Sequence, residues 1–583
     1  MAASGAGVVK KGDVTLTSLL LGKAFADQVS GSFLEPILTA MSKLLLPRAL
    51  LLDGSLSKHS HIRVAVWSGL VGVVFTYLAN KVAHKMWLIE RKGFMASFFE
   101  FVRSLPIIRN QVKAQKLKIA HQIESSLPKS DGTIPPNDKI PEKGYACDEI
   151  LQILEDLSET DVKYEDGDSS FSGTTYMTGK EHYELLNKAY GMFALTNPLH
   201  SDVFPSVGRM EREVISMTAS LMGGGKHGPV PSVCGCMTSG GTESIITAVL
   251  VTKEKMCYER GIEHPELVMA QSAHPAFDKA CKFLGIRLRR VKVGKDYRAD
   301  PQAMAKACNR NTIMMIASAP SFPHGVVDPV EDLAKICIQK GLCLHVDCCL
   351  GGYVLPFARQ LGYPIPFFGF EVEGVTSISC DTHKFAMTQK GSSVVLYRDR
   401  EFRKYQFTSC TEWTGGMYIS PSMPGSRSGS LIAQTWAALM HMGMDGYLAA
   451  TEKLMQASKT LQEGIKSTPG LELIGSPDMC VVAWTSTSVN ILQLNDLMGK
   501  RHWSLNVLQF PNSVHMCLTM GNVNCVDRLL SDLKECLRTL EHAGPSAVGS
   551  GGMAPIYGMA TALPDRGSVS DILLATQDAI CGQ

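Results

Sequence analysis

Six short apolar runs, at 266–270, 286–293, 312–317, 342–346, 375–379 and 393–397, recur with helix-like stretches between several of them. This alternation limits the fold more than any other feature. Strands of that length separated by helices such as 330–339 predict a mostly parallel sheet covered on both faces, an α/β fold whose functional groups gather at the carboxyl ends of the strands. Beyond about residue 430 the pattern changes to a long helix at 433–466 and then to strands near 471–474 and 480–484. A smaller C-terminal α+β domain follows, with expected boundaries of 145–429 for the large domain and 430–583 for the small domain and tail. A chain of 583 residues, 45% of them hydrophobic, has material for both cores.

Basic and acidic residues nearly cancel, 57 against 55, so no global nucleic-acid footprint is expected. The 17 cysteines form no CxxC pair; Cys234 and Cys236 are too close for a zinc ribbon, and Cys348 and Cys349 are adjacent. They read as reduced thiols with no metal site. Residues 1–62 lack the order of a cleaved signal peptide and are expected to be lumenal. The uncharged run 64–79, within a candidate transmembrane helix at 63–80, covers about 24 Å at 1.5 Å per residue, slightly short of a ~30 Å hydrocarbon core. Trp67, Tyr77, Arg63 and Lys81 are placed to anchor it at the interfaces. Basic residues accumulate through 81–118, so the positive-inside rule puts the C-terminal bulk in the cytosol. The segment 81–144 reads as a basic, amphipathic stretch and then a Pro/Gly/Ser linker.

Four features fall at strand ends or loops of the expected sheet. Ser239-Gly240-Gly241-Thr242 opens a helix, where two glycines allow close approach, free N–H groups favour an anion and Thr242 adds a hydroxyl. His274 follows a strand and can stack on a flat ring; Asp347 ends an apolar strand and needs a cation. Lys384, beside His383, sits on the turn between two core strands, where partial desolvation and a neighbouring cation such as Lys390 are expected to lower its pKa and free its amine. Singly these are a helix cap, a loop histidine, a strand-end acid and a loop lysine. Together they are the parts that hold pyridoxal phosphate and use it as an electron sink.

The stretches that carry a family resemblance include Ser172-Gly173-Thr174-Thr175-Tyr176, Asn197-Pro198-Leu199-His200, Cys236 to Ser244, Gln271 to Ala276, Phe322-Pro323-His324-Gly325, His345 to Gly352, Asp381 to Lys384, Lys390-Gly391-Ser392-Ser393 and Tyr557-Gly558-Met559-Ala560. Over about 90–560 the chain resembles the fold-type I pyridoxal-phosphate enzymes of the group II decarboxylase branch, and within it the sphingosine phosphate lyase family. The resemblance implies a homodimer with sites at the subunit interface. It implies Lys384 as the cofactor-bearing lysine, Asp347 at the pyridine nitrogen, His274 on the ring, and Gly240, Gly241, Thr242 and His383 around the cofactor phosphate. Tyr176, His200, Lys390 and Tyr557 match positions around the substrate and its phosphate.

The implied activity is retro-aldol cleavage of sphingosine 1-phosphate and related phosphorylated long-chain bases to a long-chain aldehyde and phosphoethanolamine. The implied setting is the endoplasmic reticulum membrane, with a single-pass anchor and the catalytic domain facing the cytosol. Lys384, a nearby histidine and a phosphate-linked water are all open as the base. An amino-acid decarboxylase of the same fold and a membrane-tethered scaffold without turnover are the competing readings. The chain departs from the family where Phe385-Ala386-Met387-Thr388-Gln389 replaces an aromatic-rich Tyr-Gly-Tyr-Ala-Pro, and where Gly425-Ser426-Arg427-Ser428-Gly429 lacks a proline.

Overall fold

The computed structural model describes residues 139–544, save 160, 163–166, 177 and 227, together with 566–581 and the single positions 98, 105 and 110. The candidate membrane run at 64–79 and Tyr557 lie outside the described residues. Among the described residues no helix is long and apolar enough to cross a membrane. The chain divides into a unit of Ser130–Ala562 and another of Met1–Lys129 with Leu563–Gln583.

In chain order the larger unit runs α1 (Cys147–Ser158), α2 (Lys180–Met192), α3 (Pro205–Leu221), β1 (Cys234–Thr238), α4 (Gly241–Arg260), β2 (Glu266–Ala270), α5 (Ala276–Leu284), β3 (Arg287–Val291), α6 (Pro301–Ala307), β4 (Thr312–Ser318), α7 (Val330–Lys340), β5 (Cys343–Asp347), α8 (Leu355–Gln360), β6 (Val375–Cys380) and β7 (Ser393–Tyr397). A short helix α9 (Arg400–Arg403) and the hairpin β8 (Thr408–Cys410) and β9 (Tyr418–Ser420) lead into α10 (Gly429–Lys466). After it come β10 (Leu471–Leu473), β11 (Val481–Ser486), α11 (Ile491–Lys500), β12 (Asn506–Leu508), β13 (Ser513–Cys517) and α12 (Val526–Ala543). The other unit contributes α13 (Arg566–Cys581).

The large sheet has the order β1-β7-β6-β5-β4-β2-β3. Its pairs from β6 through β5, β4 and β2 to β3 are parallel, and β7 alone runs against both neighbours. The mostly parallel sheet read from the sequence is therefore present. β4, β5 and β7 are buried at every position, which is what coverage on both faces demands of a strand. One apolar cluster, with Phe277, Ile245 and Ile316, fills the side under α4 and α5. Another, with Met315, Leu344 and Phe357, fills the opposite side and continues without a break to Trp484 and Met516 of the smaller sheet.

That smaller sheet is antiparallel, ordered β10-β11-β13-β12. Helix α10 carries the chain to it, kinking at Gly443, where a φ of 56° interrupts the helical backbone. A second junction is the loop after β4: Gly325 has a φ of +67°, and its carbonyl accepts from the Asp478 N–H at 2.9 Å. A Cβ at Gly325 would run into the Val481 carbonyl of β11. Left-handed backbone and a close backbone approach together leave no room for a side chain. Gly325→Ala should therefore destabilise the protein by about 2 kcal/mol or more, read as a lowered midpoint in chemical denaturation. An unchanged midpoint would show that the junction yields to a side chain.

Candidate active site

The carboxyl ends of β1, β2, β4, β5 and β6 all open toward one cavity of about 370 Å³. Its lining includes Ser239, Gly240, Gly241, Thr242, His274, Ser318, Phe322, Asp347, Asp381, His383 and Lys384. All seven residues expected around the cofactor are thus brought together, although they come from segments up to 144 positions apart in sequence, Gly240 to Lys384.

One wall is the first turn of α4. A buried hydroxyl chain fastens it: Thr238 Oγ1 lies 2.6 Å from Ser244 Oγ, which lies 2.8 Å from Ser393 Oγ, which donates to the Cys380 carbonyl at 3.1 Å. β1, α4, β7 and β6 are tied through three side chains, so the Gly240-Gly241 backbone is placed by the sheet itself. A Cβ on Gly241 would come within 2.7 Å of Asp381 Oδ2, 2.8 Å of Asp381 Oδ1 and 2.8 Å of Cys349 Sγ, which explains the glycine by packing as well as by anion access. Glu243 turns back toward the helix start, its Oε2 accepting from the Ser239 N–H at 2.8 Å and the Ser239 hydroxyl at 2.5 Å.

Across the cavity, Asp347 is 8% exposed and its Oδ1 accepts from the Cys349 N–H at 3.0 Å and from Ser379 Oγ at 3.2 Å. Ser379 Oγ lies 3.1 Å from His345 Nε2, and His345 Nδ1 lies 2.9 Å from Ser377 Oγ. Since Ser379 gives its proton to Asp347, it takes one from His345 Nε2, and this fixes the imidazole's tautomer. Burial pushes the His345 pKa down to about 4, against the pull of Asp347, so it stays neutral as a relay. His274 Nδ1 accepts from the Ala276 N–H at 3.1 Å, which orients its ring at the start of α5.

Lys384 corrects the sequence reading. Burial would lower its pKa, but the Asp381 carboxylate, with Oδ2 3.1 Å from Nζ, reverses the shift and holds the lysine above its ordinary value. Asp381 is itself buried, yet Lys384 and His383, whose Nε2 is 3.5 Å away, hold its carboxyl well below the usual range. The lysine whose pKa is lowered is Lys390, brought to about 8 by desolvation first and the charge of Lys384 second. Asp381, Glu243 and the His345–Ser379 relay were not singled out from the sequence. Asp381 stands three residues before Lys384, and only the turn that folds it back brings the two charges into contact.

Tyr176 and Lys390 form a neighbouring shelf outside this lining, with Lys390 Nζ 4.7 Å from the Tyr176 ring centroid and Phe385 edge-on to Tyr176 at 4.9 Å. His200 is exposed on the turn before α3, and among the described residues its side chain does not join the cavity lining. The divergent 385–389 loop is clamped from outside: Tyr447 donates to the Ala386 carbonyl at 2.9 Å, and His182 Nε2 lies 2.9 Å from the Met387 carbonyl. In the second divergent stretch, Arg427 forms a two-pronged pair with Glu211 of α3.

The residues fit pyridoxal phosphate. Glycine backbone and a helix N-terminus face a hydroxyl and an imidazole for a phosphate, a fixed carboxylate stands ready for a ring nitrogen, and a lysine amine points at the space between. Two carboxylate oxygens at this edge, Asp381 Oδ1 and Glu243 Oε1, are buried without a hydrogen-bond partner among the described residues.

Residues 134–486 match the pyridoxal-dependent decarboxylase conserved domain. The chain is 46% identical to a sphingosine-1-phosphate lyase of Arabidopsis thaliana over 88% of its own length and 94% of the relative's. A solved sphingosine-1-phosphate lyase of Burkholderia pseudomallei superposes with a TM-score of 0.67 at 40% identity, covering 71% of this chain and 96% of that one. A glutamate decarboxylase of Lactobacillus brevis, at a TM-score of 0.60 and 17% identity over 70% of this chain and 96% of that one, shares the fold alone. With that agreement in sequence, fold and site chemistry, the chain belongs to the pyridoxal-dependent decarboxylase family and, within it, to the sphingosine-1-phosphate lyases.

Proposed function

We propose that this protein is a pyridoxal-phosphate-dependent carbon–carbon lyase that splits sphingosine 1-phosphate and related phosphorylated long-chain bases into a long-chain aldehyde and phosphoethanolamine. The observation that carries the reading is Lys384 Nζ held 3.1 Å from Asp381 in a cavity that also presents Asp347 and the α4 N-terminus. An unreactive scaffold has no physical need for an amine fixed between two acids.

When bound, the cofactor supplies an electron sink for the pair released as the substrate's C2–C3 bond breaks. Gly240, Gly241, Thr242 and His383 would bind the cofactor phosphate, and Lys384 would carry the cofactor. Asp347, oriented by Ser379 and His345, would keep a proton at the ring nitrogen, and His274 would lie against the ring. Lys390 and Tyr176 receive the substrate phosphate, the cation supplying charge and the phenol shaping the shelf. The proton of the C3 hydroxyl leaves to a base, for which Lys384, a nearby histidine and a phosphate-linked water stay open, and C2 takes up a proton after the aldehyde departs.

The same reading makes the protein a homodimer with shared sites, to which Tyr557 and the exposed His200 contribute. A single-pass anchor at 63–80 would hold it to the endoplasmic reticulum membrane with the catalytic domain in the cytosol. A substrate with a long alkyl chain and a charged head gives such an anchor its use, and the basic excess that follows the apolar run supports the orientation.

Purified protein with pyridoxal phosphate should absorb in the visible, become fixed by borohydride at the peptide holding Lys384, and release aldehyde from sphingosine 1-phosphate. Lys384→Ala should cut turnover by about three orders of magnitude or more. No cofactor at Lys384 would leave the scaffold reading; a cofactor there with carbon dioxide released from amino acids, and no aldehyde, would make the protein a decarboxylase. A second expectation concerns pH. Lys390 is lowered to about 8, so its cation is present below that pH and lost as pH rises through it. The kcat/KM for the phosphorylated substrate should fall about tenfold per unit above pH 8, and Lys390→Arg should flatten that fall.

A further inference from the structure

Asp381 occupies a place that cofactor binding alone does not explain. Its side chain is 3% exposed and is wedged between Lys384 on its own turn and the first residue of α4, where even a Cβ on Gly241 would strike both carboxylate oxygens. Oδ2 meets Lys384 Nζ at 3.1 Å, and Oδ1 has no hydrogen-bond partner among the described residues. A carboxylate taken so far out of water persists only where positive charge answers it. Here the answers are the lysine, the imidazole of His383 and the positive end of α4.

Lysine must shed one proton to solvent before its nitrogen can attack an aldehyde carbon, and the condensation then releases one water. We propose that Asp381 is a positioning residue for Lys384: it aims Nζ into the cavity, keeps that nitrogen protonated whenever it is free, and thereby sets the pH at which the cofactor attaches. This deepens the reading of Lys384 as the cofactor-bearing lysine and rests on it. The influence continues after attachment. With the cofactor attached, a buried carboxylate beside that nitrogen would favour a proton there too, because its loss would leave Asp381 without its nearest cation.

Other groups face the pair and set the background. Asp347 adds to the pull on the Lys384 proton and Lys390 opposes it. Cys349, Cys517 and Tyr176 also lie within reach, but burial raises all three and leaves them neutral over the working range. Asp381 is the group in direct contact.

The test uses the full chain, stripped of cofactor and reloaded with pyridoxal phosphate between pH 6 and 10, following attachment by absorbance and by borohydride fixation at Lys384. In the wild type the rate should rise about tenfold per pH unit without a plateau below pH 9, as for an amine that stays protonated throughout. Asp381→Asn should move the plateau down by about one unit or more and load about tenfold faster at pH 7, and Asp381→Glu should restore the wild-type profile. In the loaded enzyme, the absorbance change marking loss of the linkage proton should move to lower pH in Asp381→Asn. A wild-type plateau below pH 8, or superimposable wild-type and Asp381→Asn profiles, overturns the proposal. A wild-type plateau below pH 8 overturns the proposal without any variant, and if Asp381→Asn fails to fold, Asp381→Ser carries the comparison with the wild type. Failure to fix cofactor at Lys384 in the wild type would instead sink the functional reading on which this one rests.

Discussion

A carboxylate buried three residues before a lysine can stay ionised only if the chain turns back and sets the two charges together. The turn Asp381-Thr382-His383-Lys384 does this, and much of the site follows from it. Separating Lys384 from Asp381 would leave a charge in the core with only the long contact to His383 and the start of α4 to answer it, a costly state that favours the turn. The lysine is thus aimed by the turn that leads out of β6, at the start of the loop that returns the chain to β7. Thr382 Oγ1 donates to Ser392 Oγ at 2.7 Å, and the Ser392 N–H donates to His383 Nδ1 at 3.3 Å, closing the turn from its far side.

The sheet makes such a corner possible. Strands buried on both faces leave no polar surface along their length, so every functional group must come from where they end. Asp347 and Ser379 sit opposite each other in the β5–β6 register, which is why one hydroxyl can reach the carboxylate while also meeting His345. Rigid strand ends supply the cavity; the shelf is supplied by loops, Tyr176 from the segment before α2 and Lys390 from the loop after Lys384. That loop is held by hydrogen bonds to its carbonyls from Tyr447 and His182, and His182 is in turn 3.0 Å from His441. Through these bonds the shelf leans on α2 and α10, elements remote from the cofactor residues.

What the sequence shows, and what it conceals, follows the same division. β2 and β7 stand where their apolar runs end, because a strand covered on both sides writes its burial directly into composition. β1 escapes notice: Cys-Gly-Cys-Met-Thr carries no β-branched residue before its last position, and it is recognisable as a strand only by pairing with β7. β13, with a buried histidine amid Val, Met and Cys, is hidden for a similar reason. The cofactor residues are legible since each sits at a strand end or helix start that the pattern predicts. The sign of the Lys384 shift is not legible, because it depends on which of two neighbours lies closer. Lys390 was expected to act on Lys384; Asp381 wins by contact, and the depression falls on Lys390 instead.

Two lysines six positions apart therefore end with opposite proton affinities, and this asymmetry suits the chemistry of a zwitterionic lipid head. The amine that must carry a cofactor is kept charged and placed by a fixed acid, so it reacts only where an aldehyde is delivered to it. The cation proposed to meet a phosphate lies over an aromatic face, where an arriving dianion would offset the desolvation and the neighbouring charge of Lys384 that lower its pKa. A decarboxylase of the same fold shares the first requirement and has no use for the second. Selectivity in this architecture would accordingly fall to the loop after the lysine, one of the two stretches where this chain departs from the family pattern, while the turn before it is held in place by its buried pair of charges.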